Sequence, residues 1–182
     1  KTVDLVVGNN NKKDIVKIVE EFISATEDFE NLENKDKSIQ RYDDVQKRKY
    51  VLDIDSESEF EELSINTVSD KTRASIKIQD GCNQFCSYCI IPYARGRVRS
   101  RGLDSILAEV EELTKNGYKE VVLTGIHLSS YGVDFADNED RSPKLIELIV
   151  ELAKIEKLRR IRLSSLEPRI ITNEFVKIFI YF

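Results

Sequence analysis

Ala74-Ser75-Ile76-Lys77-Ile78-Gln79-Asp80-Gly81-Cys82-Asn83-Gln84-Phe85-Cys86-Ser87-Tyr88-Cys89 decides how the rest of the chain is read. Its first six residues alternate apolar and polar side chains, the period of a β-strand. The strand runs straight into Asp80-Gly81 and a loop carrying Cys82, Cys86 and Cys89 in the spacing C-x3-C-x2-C. These are the only three cysteines among 182 residues, and the chain has a single histidine. Three thiolates this close in sequence can grip one metal centre, but a tetrahedral zinc or a cubane cluster needs four ligands. One coordination position is left for something else.

That vacancy narrows the chemistry. A structural zinc is normally closed by a fourth Cys or His, and a catalytic zinc usually draws on His or carboxylate ligands. A 4Fe-4S cluster on three thiolates presents one iron to an outside ligand, which is a place for chemistry rather than for electron storage alone. A disulfide is disfavoured by the odd count and tight spacing. His127, the sole histidine, keeps a Cys3His zinc site open as an alternative, but it falls in a different loop and reads better as a hydrogen-bonded structural residue.

After the cysteines, Leu103, Ile106, Leu107, Val110 and Leu113 recur at helical spacing up to a stop at Asn116-Gly117. Glu120 to Thr124 reads as a buried-type strand ending at Gly125. Ser142-Pro143 has the form of an N-cap followed by proline at the first helical position, with Leu145, Leu148, Ile149, Leu152 and Ile155 on one face. Arg160 to Ser164 is a third strand, and a last helix begins near Thr172 with Phe175, Ile178 and Phe179 as its stripe. The order βαβαβα implies an α/β fold of parallel strands with right-handed crossovers. In such folds the loops after the strands form the active face. The cysteine loop, 125–132 and 164–168 are therefore expected to converge.

Upstream, Lys1 to Val7 is a short β-type run stopped by Gly8-Asn9-Asn10-Asn11, followed by Ile15, Ile18, Val19 and Phe22 at helical spacing. One such strand has no pairing partner in the immediate sequence. Between Glu27 and Glu62 there are thirteen acidic and six basic residues, the composition of a solvated linker with one short strand near Lys49 to Ile54. The formal charge of −5 argues against a protein that merely coats nucleic acid. No apolar run approaches the ~18 residues of a membrane span, and no secretory signal pattern precedes the first strand, so a cytoplasmic location is expected. With Lys at position 1 and no methionine, the chain is expected to be a piece of something longer.

Four blocks carry a resemblance: Ile76 to Cys82, Cys89-Ile90-Ile91-Pro92-Tyr93-Ala94-Arg95-Gly96-Arg97-Val98-Arg99-Ser100-Arg101, Thr124 to Gly132, and Arg162-Leu163-Ser164-Ser165-Leu166-Glu167-Pro168. The cysteine motif with Tyr88 before its last ligand resembles the radical S-adenosylmethionine (SAM) enzymes, and the four blocks together resemble their methylthiotransferases, most of all those acting on threonylcarbamoyladenosine in tRNA. The resemblance implies that 1–25 is the end of an α/β methylthiotransferase N-terminal domain, 26–70 an acidic linker, and 71–182 the first half of a radical SAM (β/α) barrel. It also implies a second 4Fe-4S cluster on three further cysteines that this sequence does not contain, so the chain alone is expected to be inactive.

The implied reaction is 2-methylthiolation of the modified adenosine beside the anticodon. Cys82, Cys86 and Cys89 would hold the cluster that cleaves SAM, with flavodoxin or ferredoxin as electron donor. Tyr88 would contact the SAM adenine, Gly125 would let the backbone approach SAM, and Ser165 and Glu167 would hydrogen-bond its ribose or amino group. Arg95, Arg97, Arg99 and Arg101, if extended, would face one side as an electropositive strip for tRNA phosphates or the SAM carboxylate. Two alternatives stay open: the same chemistry on isopentenyladenosine in tRNA or on a ribosomal-protein aspartate, and a non-enzymatic three-cysteine metal module.

Overall fold

The computed structural model describes residues 3–9, 12–30, 49–51, 53–54, 57–63 and 73–181, and the chain forms two compact units, Lys1–Asp53 and Ile54–Phe182. The division falls inside the stretch read as an acidic linker, most of which lies outside the described residues. In the first unit, β1 (Val6–Val7) is followed by α1 (Ile15–Glu30). The missing pairing partner turns out to be β2 (Lys49–Tyr50), which runs parallel to β1 with Val6 opposite Lys49 and Val7 opposite Tyr50. The Gly8 N–H extends the ladder to the Tyr50 carbonyl at 2.7 Å. Sequence spacing hid this pair because its strands lie more than forty residues apart.

The second unit is built on three parallel strands, β3 (Arg73–Lys77), β6 (Glu120–Thr124) and β7 (Arg160–Leu163), with β6 in the middle. Ala74 and Ile76 alternate inward on β3 and Val121 and Leu123 on β6. They meet Ile106, Val110 and Leu113 of α3 (Leu103–Lys115) and Leu145, Leu148 and Leu152 of α4 (Leu145–Ala153), all fully or nearly fully buried. Each helix is a crossover between parallel strands, which sets both on one face of the sheet. The helix α5 (Asn173–Tyr181) follows β7, with the Thr172 hydroxyl accepting the Phe175 N–H at 3.2 Å as its N-cap.

A smaller antiparallel pair carries the cysteine loop. Ile78 still donates to the Thr124 carbonyl at 2.9 Å, after which the chain leaves the sheet as β4 (Gln79–Asp80). Its partner is β5 (Arg99–Ser100), with Asp80 opposite Arg99, and the loop and α2 (Ile91–Arg95) lie between them. Ser142-Pro143 does not open a helix as its sequence suggested. The Lys144 N–H is drawn to the Tyr131 carbonyl at 2.7 Å and the buried Asn138 amide holds the carbonyl of Ser142 at 2.7 Å, so α4 starts only at Leu145 and has no side-chain cap.

Candidate cluster and cofactor site

The cysteine loop is held shut at its base by backbone geometry. Gly81 has φ +71°, and a Cβ there would run into the Arg97 carbonyl, so only glycine lets the outgoing and returning strands approach this closely. Cys82 N–H donates to the Gly96 carbonyl at 3.0 Å, and the Asn83 side-chain oxygen accepts the Val98 N–H at 3.1 Å. Above this base Phe85 takes a left-handed φ of 47°, and Cys89 N–H closes a turn onto Cys86 O at 2.9 Å. The three thiols are free: Cys82 is buried, Cys89 half-buried and Cys86 exposed. Tyr88 stands 92% exposed, with its ring available to a ligand over the loop.

Asp80 clasps the two ends of this segment together. Its carboxylate accepts Arg95 Nε at 3.0 Å and the second Arg95 nitrogen at 2.9 Å, a bidentate pair across fifteen positions of sequence, and it also accepts Lys77 at 2.5 Å and the Gly81 N–H at 2.8 Å. Burial alone would push this carboxyl up; the hydrogen bonds from Lys77 and Arg95, the Lys77 charge and the Gly81 N–H outweigh it and hold Asp80 below the ordinary carboxylate range.

This arrangement corrects the arginine strip. Arg95 ends a helix rather than continuing a strand, and Arg99 and Arg101 are only 2% and 4% exposed. Arg99 reaches the Arg95 carbonyl at 2.9 Å and lies 3.8 Å from Asp80, while Arg101 is paired with the buried Glu109. Only Arg97 is exposed among the four, its guanidinium 4.5 Å over the Phe85 ring. The alternating spacing was real, but Asp80 and Glu109 pull two of the cations into the protein.

The loops after β6 and β7 come together as topology required. His127 Nε2 lies 3.2 Å from Glu167 Oε2, and Nδ1 lies 2.6 Å from the Ser130 hydroxyl. An ionised carboxylate only accepts, so Nε2 carries the proton and Nδ1 accepts from Ser130. Ser129 Oγ accepts the Glu167 N–H at 3.0 Å, and Glu167 Oε1 is also bound by Arg169. The Arg169 hydrogen bond, opposed by burial and reinforced by the Arg169 charge and the hydrogen bond from His127, holds the Glu167 carboxyl below its usual range. Arg169 then reaches the Gln84 side-chain oxygen at 3.4 Å, which links the third loop to the cysteine loop. Ser165 is exposed beside these groups. The room beside Gly125 is taken by Gln79, whose side-chain oxygen would lie 2.9 Å from a Cβ.

Gln79 is the functional-face residue that sequence reading passed over. It is fully buried; its amide nitrogen donates to the carbonyls of Asp80 and Gly81, both at 2.7 Å, and its oxygen accepts the His127 N–H at 2.8 Å. Its only sequence signal was a polar residue ending a buried strand.

The donor set fits a cluster better than a single ion. One tetrahedral zinc, with Zn–S near 2.3 Å, would draw three sulfurs onto one point. A cubane takes each thiolate on a separate iron, and the three free thiols all stand on one loop. His127 is engaged by Ser130 and Glu167. At the start of the third loop Ser164 Oγ is buried with no hydrogen-bond partner, an orphaned polar atom on the side where a small polar cofactor would sit. The groove of about 290 Å³ between β7 and α5, lined by Ile149, Leu158, Ile161 and Ile178, contains none of these groups.

The Radical SAM superfamily matches residues 76–180. The threonylcarbamoyladenosine tRNA methylthiotransferase of Aquifex aeolicus is 39% identical over 180 residues, 99% of this chain and 38% of that protein. The protein of the same name from Bacillus subtilis is 45% identical over 120 residues, 65% of this chain and 26% of its own length. The tRNA-2-methylthio-N(6)-dimethylallyladenosine synthase of Carboxydothermus hydrogenoformans is 42% identical over 106 residues, 58% of this chain and 23% of its length. The chain thus spans well under half of the curated relatives it matches.

Proposed function

The chain belongs to the radical SAM superfamily and, within it, to the methylthiotransferases, and from that premise we propose that it is the cluster-bearing part of a tRNA methylthiotransferase acting on threonylcarbamoyladenosine beside the anticodon. The observation that carries the choice of substrate is the likeness along 99% of this chain to a protein of that name. The likeness to a dimethylallyladenosine synthase keeps the isopentenyl-type nucleoside as the second reading. Residues 1–25 would end the N-terminal domain, 26–70 connect it, and 71–182 begin the barrel. A flavodoxin or ferredoxin would supply electrons, in a cytoplasmic setting. Among the described residues no helix is long and apolar enough to cross a membrane.

Cys82, Cys86 and Cys89 would hold a 4Fe-4S cluster, with the open iron for SAM. Bound there, cluster and SAM supply one-electron chemistry that the side chains cannot. The chain's own residues position and shield. Tyr88 would cover the adenine, the buried Ser164 hydroxyl and exposed Ser165 would meet the ribose or amino group, and Glu167 would receive the SAM ammonium beside His127. Exposed Arg97, with half-buried Arg95, would meet tRNA phosphate, whereas Arg99 and Arg101 serve the loop's structure.

Nucleoside analysis of tRNA from a strain lacking the gene decides the substrate. The methylthio derivative of threonylcarbamoyladenosine should disappear and its unthiolated precursor accumulate. Persistence of that derivative, with loss of the isopentenyl-type one instead, would give the site to the second substrate.

A further inference from the structure

We propose that Gln79 is a positioning residue that fixes the cysteine loop against the loop bearing His127 and Glu167, and so sets the geometry in which SAM is bound between them. The inference rests on the SAM-binding reading of the site. The side chain is fully buried at the point where β3 gives way to β4, and it uses its three strongest hydrogen-bonding positions at once. Its orientation is unambiguous: the NH2 group faces two carbonyls and the oxygen faces an N–H, and reversing the amide would set oxygen against oxygen twice.

The contacts continue as a ring. Gln79 ties the backbone just before Cys82 to the His127 amide, His127 meets Glu167, Glu167 meets Arg169, and Arg169 returns to Gln84 inside the cysteine loop. The cluster ligands and the carboxylate proposed for the SAM ammonium are therefore held in one hydrogen-bonded circuit, with Gln79 as its only fully buried side chain. Gly125 acquires its reason from the same circuit, because a methyl group there would press on both the Gln79 side chain and its carbonyl. Gln79 touches neither a thiolate nor, in this reading, SAM; it acts through the backbone on each side.

The test uses Gln79→Leu, which removes all three hydrogen bonds, and Gln79→Glu, which keeps the acceptor for His127 and turns oxygen toward the two carbonyls. Each protein is reconstituted anaerobically with iron and sulfide, and four readouts are taken: iron content, melting temperature, SAM affinity by equilibrium dialysis, and the paramagnetic resonance spectrum of the reduced cluster with and without SAM. The expected result is a retained cluster with SAM binding weakened roughly tenfold or more and a smaller SAM-induced spectral change, the size usual for groups that orient metal ligands. Gly125→Ala should give the same loss, and the double variant Gly125→Ala/Gln79→Leu no further loss. Variants that bind SAM like the wild type, or additive losses in the double variant, would overturn the inference. So would iron loss that only tracks a lowered melting temperature, since Gln79 would then serve the fold alone. If the wild-type cluster itself ignores SAM, the functional reading fails and this inference falls with it. Should Gln79→Leu not fold, the isosteric Gln79→Glu carries the comparison.

Discussion

Asp80 gathers Lys77, Arg95 and the Gly81 N–H on one nearly buried carboxylate, directly before the first cysteine. Asp80→Ala therefore removes the bidentate tie between the two ends of the loop and strands buried Arg99 beside it. Chemical denaturation should show a loss of about 2–4 kcal/mol, because breaking a buried pair costs more than the pair contributes. Tyr131 offers a milder case: burial, aided by Asp134, pushes its phenol far above the usual range, and its O–H donates to the Arg101 carbonyl at 2.9 Å. Tyr131→Phe should cost about 1–2 kcal/mol by the same measurement. At this scale the three cysteines stood out by their spacing, and the structure sets them as free thiols on one loop. The arginines were not legible. Arg97 and Arg99 look alike in a sequence, and what separates them is Asp80, nineteen positions before the second of them, on a strand whose pairing no local pattern announces.

The helix α3 ends as its sequence says. Gly117 at φ +94° donates to Thr114 O at 3.2 Å and Tyr118 to Leu113 O at 3.0 Å, the two bonds of a Schellman motif. Gly117→Ala meets no neighbouring atom, so its cost is conformational alone and should be about 1 kcal/mol by thermal unfolding. Leu148→Ala, in the core between α4 and the sheet, should cost about 2–5 kcal/mol. The contrast at Ser142-Pro143 shows where local signals stop. Nothing in those two residues reveals that Asn138 and Tyr131 will claim the neighbouring backbone first. The strands β3, β6 and β7 were readable because β3 and β6 bury alternate residues, and β7 partly buries Ile161 and Leu163, against helices whose own stripes match. For β1 and β2 the strands themselves were readable but their pairing was not, since more than forty residues separate them.

For the whole molecule, parallel order was the decisive inference: it required three loops to leave the same edge, and His127, Glu167, Arg169 and Gln84 do meet there. The identity of the small polar contacts among them was beyond sequence, because Gln79 is indistinguishable from any polar residue that ends a strand. The chain contains thiols for one cluster only. We accordingly expect about four irons per chain after reconstitution, and no methylthiolation of tRNA by the 182-residue chain alone. The central claim is that Cys82, Cys86 and Cys89 hold a cluster whose remaining iron binds SAM. Paramagnetic resonance of the anaerobically reconstituted and reduced chain, recorded with and without SAM, tests it most directly. A 4Fe-4S signal that shifts on adding SAM and is absent from Cys82→Ala is expected; a colourless zinc protein, or a cluster signal unchanged by SAM, would rule out a cluster that binds SAM.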